Sequence, residues 1–582
     1  MVYSKIQTAV LALFKSNELL NKSREHMSLP EKRALLHEQF MEFMKKIPFK
    51  IDYRNKSYTE VLDLYEILHI LDIELVVKMG IQFNLWGETL YRLGTSKHSE
   101  FIRQTENCEI LGCFAMTEIG HGSNISKLET TAKYDYVTET FTIHSPTKSS
   151  HKFWIGQAVE FAQYAIVFAQ LYIDTVCHGV HPFIVQLRNL HTNVIIGGIT
   201  IKDCGLKNGL NSIDNGEISF TNVMIPYDNL LDKFALINKN VIYKAKKGRF
   251  SKMLNELTKN RFGLGEGCNI ISRYYLKQTL RYSSIRRQFG GKGVEECLIN
   301  YPTHQKRLFP LLARAITMNI YCKNERKFIE DTEKSHISSI ISKIYGSWDC
   351  LKTLQQCREA CGGHGYHFNT NIGRVYRDID IYTTFEGDNY VLLQQLFQIY
   401  MKEVKKTMNL TNLLKYKVEK INNRYLGSLE NCIHKKHINY TTFIKNISYI
   451  IEYKTKHILL LLSQAIEKSE DPFNIWKANL NSIIDVSKLL ALKYILESVI
   501  SINNNYMIDY LLQLFIFDHI KNDIHLYAVF LSKYTIQNIN KFENDIYTCI
   551  LNNKSFYMYT LDVPDLINLD NTNHLQNILA KL

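Results

Sequence analysis

The chain has neither a CxxC pair nor a regular cysteine framework, although it contains 12 cysteines among 582 residues. Its cysteine spacings fit no common zinc site or disulfide scaffold, so we predict reduced thiols and no bound metal. Long apolar runs are also lacking. The stretch at residues 9–14 is too short to cross a bilayer and is interpreted as one face of a first helix. We therefore predict no membrane span.

Concentrated charge is lacking as well. Lys and Arg outnumber Asp and Glu by 70 to 57, a formal net charge of +13. That sign suits a polyanion or a phosphate-bearing small molecule. The basic residues are scattered apart from a short cluster at 244–249, so a nucleic-acid partner is not predicted. The sequence has no repeat of fixed period and no Walker or Rossmann spacing.

Hydrophobic periodicity predicts four regions. Apolar residues recur at helical steps near the N-terminus, as in Leu36, Phe40 and Phe43. Short β-branched and aromatic segments such as 165–168 follow, and helical spacing then returns. We predict an α+β, mostly helical fold. Its parts are a helical domain (1–110), an antiparallel β-barrel-like or sandwich domain (111–235), a four-helix bundle (236–406) and a C-terminal helical domain (407–582).

The most informative segment is residues 383–389, which contains Glu386 and Gly387. Asp388 or Asn389 is a good N-cap for the helix predicted to follow. Glu386 therefore precedes a helix start on a turn that Gly387 permits. One interpretation is a carboxylate that only complements the helix dipole. The other is a positioned catalytic base.

Three further segments suit anion or ring binding. Residues 361–366 include Gly362 and Gly363, which let a backbone approach a phosphate closely, although a simple helix C-cap has the same composition. In residues 281–290, Arg287 beside Phe289 suits a nucleotide, and the alternative is a basic helix end. Residues 117–124 form a loop of hydroxyls and glycines that suits flavin contacts or any tight turn.

Taken together and in order, these segments closely resemble the acyl-CoA oxidase family, within the acyl-CoA dehydrogenase superfamily. The resemblance spans roughly residues 83–400. Its motifs are CFAMTE at 113–118, LETTA at 128–132, GLN at 209–211, DNG at 214–216, RRQFG at 286–290, CREACGGHGY at 357–366 and TFEGDN at 384–389.

The resemblance implies an FAD-dependent enzyme acting on fatty acyl-CoA, and it implies a role for each matched residue. Glu386 corresponds to the catalytic base that removes the α-proton. The implied cofactor-binding residues are Thr117, Ser123 and Gly156, with Arg287, Gly362 and Gly363 contacting the adenosine and pyrophosphate of FAD, typically across a subunit boundary. A homodimer is therefore predicted.

An oxidase passes electrons to molecular oxygen, whereas the alternative, an acyl-CoA dehydrogenase, passes them to a flavoprotein. Three observations favour the oxidase: oxidase-like motifs around His121, His364 and Asp388, the long chain after Glu386, and the terminal tripeptide Ala580-Lys581-Leu582. That tripeptide is similar to a peroxisomal address, so we expect an import receptor as a partner and a peroxisomal location. A flavin-free binding protein on the same fold is a second alternative.

Overall fold

The structure is a computed structural model that describes residues 3–55, 57–237, 243–256, 258, 260–407, 438–501, 505–527, 531, 533–561 and 563–564. The chain forms two compact units, Val2–Gly263 and Leu264–Leu582. The first combines helices with two main sheets. The second is helical in its described part, apart from one short hairpin.

The first unit begins with helices. They are α1 (Lys5–Ser16), α2 (Glu18–Asn21), α3 (Leu29–Lys46), α4 (Tyr58–Leu71), α5 (Ile73–Met79), a π-helix (Gly80–Gly87), α6 (Glu88–Leu93) and α7 (Ser99–Glu106). Helix α3 shows why they form: Ser28 and Glu31 make a capping box at its start. Leu36, Phe40 and Phe43 are then fully buried on one face, as their spacing predicts.

Eleven strands follow in this unit's described part. They are β1 (Gly112–Ala115), β2 (Thr131–Asp135), β3 (Thr140–His144), β4 (Lys152–Gly156), β5 (Tyr164–Ile173), β6 (Val176–Gln186), β7 (Ile199–Asp203), β8 (Asn215–Phe220), β9 (Val223–Pro226), β10 (Ala235–Ile237) and β11 (Tyr243–Ala245). Helix α8 (Arg249–Glu256) comes after them.

Two sheets share one apolar core. The six-stranded sheet has the order β1-β5-β2-β3-β9, with β6 also paired to β5, and the three-stranded sheet has the order β4-β8-β7. Phe141 and Phe183 of the larger sheet and Ile218 of the smaller belong to the same buried cluster. Most pairings are antiparallel, as predicted, but β5 runs parallel to both β1 and β2. Alternation of apolar residues does not reveal strand direction, so the sequence did not show this.

The second unit contains most of α9 (Asn260–Ile285), whose first residues belong to the first unit. It continues with β12 (Arg287–Gln288), β13 (Glu296–Cys297), α10 (Pro302–Glu325), α11 (Thr332–Ala360), α12 (Gly362–Gly365), α13 (Ile372–Asp380) and α14 (Asn389–Thr407). Further helices are Tyr440–Glu467, Pro472–Ala478, Leu480–Ile500, Tyr506–Asn522, Ile524–Tyr527, Lys533–Asn552 and Lys554–Thr560.

The C-terminal helices pack on the bundle within this unit. Helix α10 contacts α11, Leu480–Ile500 and Tyr506–Asn522, and α14 also contacts Leu480–Ile500. They bury apolar residues against one another, which is what their periodic sequences predict. The boundaries of the four predicted domains stay predictions. In the described part of the chain, none of the helices is both long and apolar enough to cross a membrane.

Candidate active site

Glu386 lies on a tight turn between two helical segments of the second unit. A single 3-10 turn, Ile381–Thr383, precedes it, and α14 begins three residues later at Asn389. Glu386 has φ +56° and Gly387 has φ +101°. A left-handed backbone is unfavourable for glutamate by about 1–3 kcal/mol, so the surrounding structure must hold this conformation. Such strain is typical of functional positions.

The helix after the turn is capped as the sequence predicts. Asp388 Oδ1 accepts hydrogen bonds from the backbone N–H groups of Tyr390 at 2.9 Å and Val391 at 3.3 Å. Asp388 is therefore the N-cap, and the carboxylate of Glu386 is not needed for that task. Glu386 itself is half-buried. The structure favours a role for Glu386 beyond completing the helix.

The glycine-rich segment and the basic end of α9 come together. The rings of His364 and Tyr282 stack with centroids 5.3 Å apart and planes within 8°. Gly362 is exposed with φ +58°, and Gly363 is exposed beside it. A Cβ added at either glycine would have no atom within 4 Å, so both backbones face open space. A left-handed glycine just after a helix is typical of a C-cap, so this segment ends α11 and also exposes the backbone of two glycines.

Arg287 begins a two-residue strand just after α9. It pairs with β13, and its Nη1 donates to the carbonyl of Glu295 at 3.1 Å. The side chain is exposed, and the nearby Phe289 is 85% exposed. An exposed guanidinium and an exposed aromatic ring suit an adenine nucleotide, because arginine binds phosphate and both groups stack on planar rings.

In the first unit, Thr117 and Gly156 are linked through β4. Thr117 Oγ1 donates to the carbonyl of Phe153 at 2.8 Å. Gly156 ends β4, and a Cβ there would lie 2.6 Å from Cδ1 of Ile81. Between them Trp154 has φ +64° and is 55% exposed. Two predicted residues thus flank an exposed aromatic side chain, and this edge suits contact with a planar ring.

Ser123 lies further along the loop that leaves β1 and is exposed. A backbone hydrogen bond holds the loop to the segment before β4, since Gly120 N–H donates to the carbonyl of Ser149 at 2.8 Å. Glu118 holds the far end of the loop by accepting hydrogen bonds from the N–H groups of Glu129 at 2.7 Å and Thr130 at 2.9 Å.

Sequence analysis did not single out Glu118. It also missed Lys343 on α11, which binds the turn of Glu386. The available signal was a cation next to the apolar residues Ile341 and Ile344 of a helix.

The described residues contain no cluster of three or more histidine, cysteine or acidic side chains able to hold a metal ion. The tripeptide at residues 580–582 lies outside the described residues.

Comparison with known proteins finds two matching regions in the chain. Residues 255–401 match the family model of the acyl-CoA oxidase C-alpha1 domain, and residues 113–223 match that of the acyl-CoA dehydrogenase middle domain. Peroxisomal acyl-coenzyme A oxidase 3 of Arabidopsis thaliana is 40% identical over 355 residues, which are 59% of this chain and 52% of that protein. Human peroxisomal acyl-coenzyme A oxidase 3 is 35% identical over 363 residues, 58% of this chain and 52% of the relative. The chain thus aligns with about half the length of these relatives.

Solved structures show that the fold is shared more widely than the sequence. Acyl-CoA oxidase-1 of Caenorhabditis elegans, complexed with FAD and ATP, superposes with a TM-score of 0.83 at 24% identity, covering 99% of this chain and 90% of that one. Acyl-CoA oxidase1 of Yarrowia lipolytica gives 0.83 at 23% identity, covering 96% and 86%. The predicted mostly helical α+β fold is confirmed. The two matched regions contain all seven predicted site residues, and over these regions the chain is similar to acyl-CoA oxidases and acyl-CoA dehydrogenases.

Proposed function

We propose that this chain oxidises fatty acyl-CoA to trans-2-enoyl-CoA with bound FAD, reducing O2 to H2O2, as the first step of peroxisomal β-oxidation. One observation carries most of the weight. Glu386 is held at φ +56° on a turn whose helix is capped by its neighbour Asp388, inside a region that matches the acyl-CoA oxidase C-alpha1 domain. A half-buried glutamate with a strained backbone, whose carboxylate is not needed as a helix cap, is a good candidate for a base.

The reaction removes one hydrogen from each of two neighbouring carbons. Glu386 takes the α-hydrogen as a proton, and the electron pair of that C–H bond becomes the new C=C bond. FAD, when bound, supplies the acceptor for the β-hydrogen and its electron pair, which then pass with a proton to O2 and give H2O2. Glu386 must therefore be ionised and aimed at the α-carbon before each turnover.

The residues present fit FAD. Arg287 and the open backbones of Gly362 and Gly363 would hold the phosphates and adenosine, because guanidinium and free amide groups bind phosphate. Thr117, Gly156 and the loop at Ser123 would meet the flavin side, beside the exposed Trp154. The solved Caenorhabditis elegans relatives contain FAD. In our proposal Arg287 and the two glycines serve the site of a second copy, so the enzyme is a homodimer.

The proposed location is the peroxisome. Relatives in Arabidopsis and human carry that word in their names. The tripeptide Ala580-Lys581-Leu582 would be read by an import receptor. Fusion of a fluorescent protein before the chain, with and without these three residues, tests both points: import that survives their removal contradicts the proposed address.

An acyl-CoA dehydrogenase is the second candidate, favoured by the match of residues 113–223 to the dehydrogenase middle domain. The two activities differ only in the final electron acceptor. Turnover sustained by dissolved oxygen alone identifies an oxidase, whereas turnover that requires an added electron-transfer flavoprotein or dye identifies a dehydrogenase.

The decisive experiment mixes the FAD-loaded protein with a panel of saturated acyl-CoAs in air and follows peroxide and enoyl-CoA together. We expect equal amounts of both products from wild type, and a loss of at least about 10³-fold in kcat for Glu386→Gln with flavin still bound. Glu330→Gln is the matched control, because Glu330 is exposed in the same unit and the charge change is identical. A fully active Glu386→Gln enzyme, or a colourless wild type that releases no flavin, contradicts the proposal.

A further inference from the structure

A single buried ammonium group binds the turn that carries Glu386. Lys343 lies on α11 with no exposed surface. Its Nζ donates to the carbonyl of Gly387 at 2.5 Å, to Oδ1 of Asn389 at 2.8 Å and to the carbonyl of Thr383 at 3.2 Å. An ammonium has three N–H donors, so one group can bind all three of these acceptors. The acceptors lie on both sides of Glu386 in sequence.

A second contact fixes the side chain of Asn389. Asn389 Nδ2 donates to Oγ of Ser347 at 2.9 Å, and Ser347 is one helical turn after Lys343 on α11. Asn389 and Ser347 are both nearly fully buried. The start of α14 is therefore bound to α11 through two residues four positions apart, which share one face of that helix.

The position of Lys343 is itself fixed by close helix packing. Gly265 of α9 lies against Ser342 and Gly346 of α11, and a Cβ on Gly346 would lie 2.6 Å from the carbonyl oxygen of Gly265. Backbones that approach this closely leave little room for α11 to shift or rotate. The ammonium is thus fixed at the crossing of two long helices, and the turn of Glu386 is fixed to the ammonium.

We propose that Lys343 is a positioning residue for Glu386, an inference that rests on the function proposed above. The ammonium holds Thr383 and Gly387 at a set distance from α11, which keeps the backbone of Glu386 left-handed and its carboxylate aimed at the substrate. Lysine suits this task because its ammonium is a compact point donor for three converging oxygens, whereas arginine has a planar fork. Misplacing a reacting group by about 1 Å costs about 10²-fold in rate.

The test compares Lys343→Met with Lys352→Met. Both changes remove a cation from α11, but Lys352 is exposed and two and a half helical turns away. For Lys343→Met with normal flavin content we expect kcat to fall about 10²-fold, with KM changing much less. With α-deuterated acyl-CoA the isotope effect on kcat should rise, because proton removal becomes more rate-limiting. A partly unfolded sample would lower kcat without changing the isotope effect. Lys352→Met should behave as wild type.

Hydrogen exchange of the peptide covering residues 381–389 gives a readout that does not depend on turnover. Lys343→Met should exchange faster there than wild type, whereas Lys352→Met should not. If Lys343→Met does not fold, Asn389→Ala removes one of the three acceptors and should lower kcat about 10-fold with the same rise in isotope effect.

The two proposals fail differently. If the wild-type protein has no oxidising activity, the proposed function is wrong. Hydrogen exchange in Lys343→Met then still tests whether the ammonium of Lys343 holds the turn. An active wild type with an inactive Glu386→Gln, together with wild-type kcat, isotope effect and exchange in Lys343→Met, overturns the role of Lys343 alone.

Discussion

The ammonium of Lys152 lies 2.9 Å from Oε1 of Glu118, and both side chains are fully buried. Lys152 also donates to the carbonyls of Met116 at 3.1 Å and Phe168 at 2.6 Å. The pair therefore fixes the backbone on both sides of Thr117, a predicted flavin contact. Burial lowers the pKa of Lys152 to about 8 despite its carboxylate partner. Burial raises the pKa of Glu118, but Lys152 and the hydrogen bonds from Thr130 outweigh it and lower that pKa overall. Both groups are charged at pH 7.

Removing one member of this pair should be costly. Lys152→Met leaves the carboxylate of Glu118 buried without its partner, and we expect the free energy of unfolding to fall by about 3–5 kcal/mol. Urea denaturation monitored by circular dichroism measures it. Lys148→Met is the control, because the pair of Lys148 and Glu217 is largely exposed at its lysine and is worth less than about 1 kcal/mol. Equal losses in the two variants would contradict the assignment.

His69 should make the first unit less stable in weak acid. Burial lowers the pKa of His69 from 6.5 to about 4, despite its 2.6 Å contact between Nδ1 and the carbonyl of Tyr65. As pH falls through 6.5 the unfolded chain binds a proton that the folded chain refuses until about pH 4, so stability is lost across that window. From pH 7 to pH 5 this one residue accounts for about 2 kcal/mol.

The measurement is the free energy of unfolding at pH 7 and at pH 5. The loss between them should be about 2 kcal/mol smaller in His69→Leu than in wild type. His191→Leu, at an exposed histidine, should leave the loss unchanged. A wild-type pH dependence in His69→Leu would show that His69 is protonated in the folded state.

Glycine 346 should not tolerate a side chain. A Cβ on Gly346 would lie 2.6 Å from the backbone carbonyl oxygen of Gly265, which is not free to rotate away. We expect Gly346→Ala to lower the free energy of unfolding by about 1–3 kcal/mol. Gly373→Ala is the matched control: Gly373 is exposed in α13 with no atom within 4 Å of the added Cβ, so the change should stabilise by about 0.5–1 kcal/mol. Effects of the same sign would refute the close crossing.

Arg287 should contribute to the affinity for FAD and very little to the stability of the fold. Its side chain is exposed and donates to a backbone carbonyl within its own hairpin. A hydrogen bond to a charged phosphate contributes about 1.5–3 kcal/mol, so Arg287→Ala should weaken FAD binding by about 10- to 100-fold with the melting temperature of the apoprotein unchanged. Flavin fluorescence titration measures the affinity. Lys292→Asn removes a cation from the same hairpin at a left-handed position that asparagine accepts. A matching loss of affinity there would indicate only general electrostatic attraction.

Local sequence predicted the parts of this fold that depend on neighbours along the chain. The buried face of Leu36, Phe40 and Phe43 follows from helical spacing, and Asp388 caps α14 as its position predicts. The motif order was specific enough to predict the match of residues 255–401 to the acyl-CoA oxidase C-alpha1 domain. The parallel partners of β5 were not predictable, because strand direction leaves no mark in alternation. Lys343 was missed for a similar reason, since its three acceptors lie 40 to 46 residues away.

The sequence by itself determined which residues we propose for the chemistry: Glu386 before a capped helix, the glycines at 362 and 363, and an arginine beside an aromatic ring. These depend on side-chain type and local turn preference, which a few adjacent residues set. Only the tertiary structure decided how Glu386 is held. Its backbone is left-handed, and the buried ammonium of Lys343 binds the same turn. Both features depend on the packing of α11 against α9 and against the start of α14. Such contacts join residues distant in sequence, and the need to satisfy each buried donor and acceptor selects them only when the chain is folded.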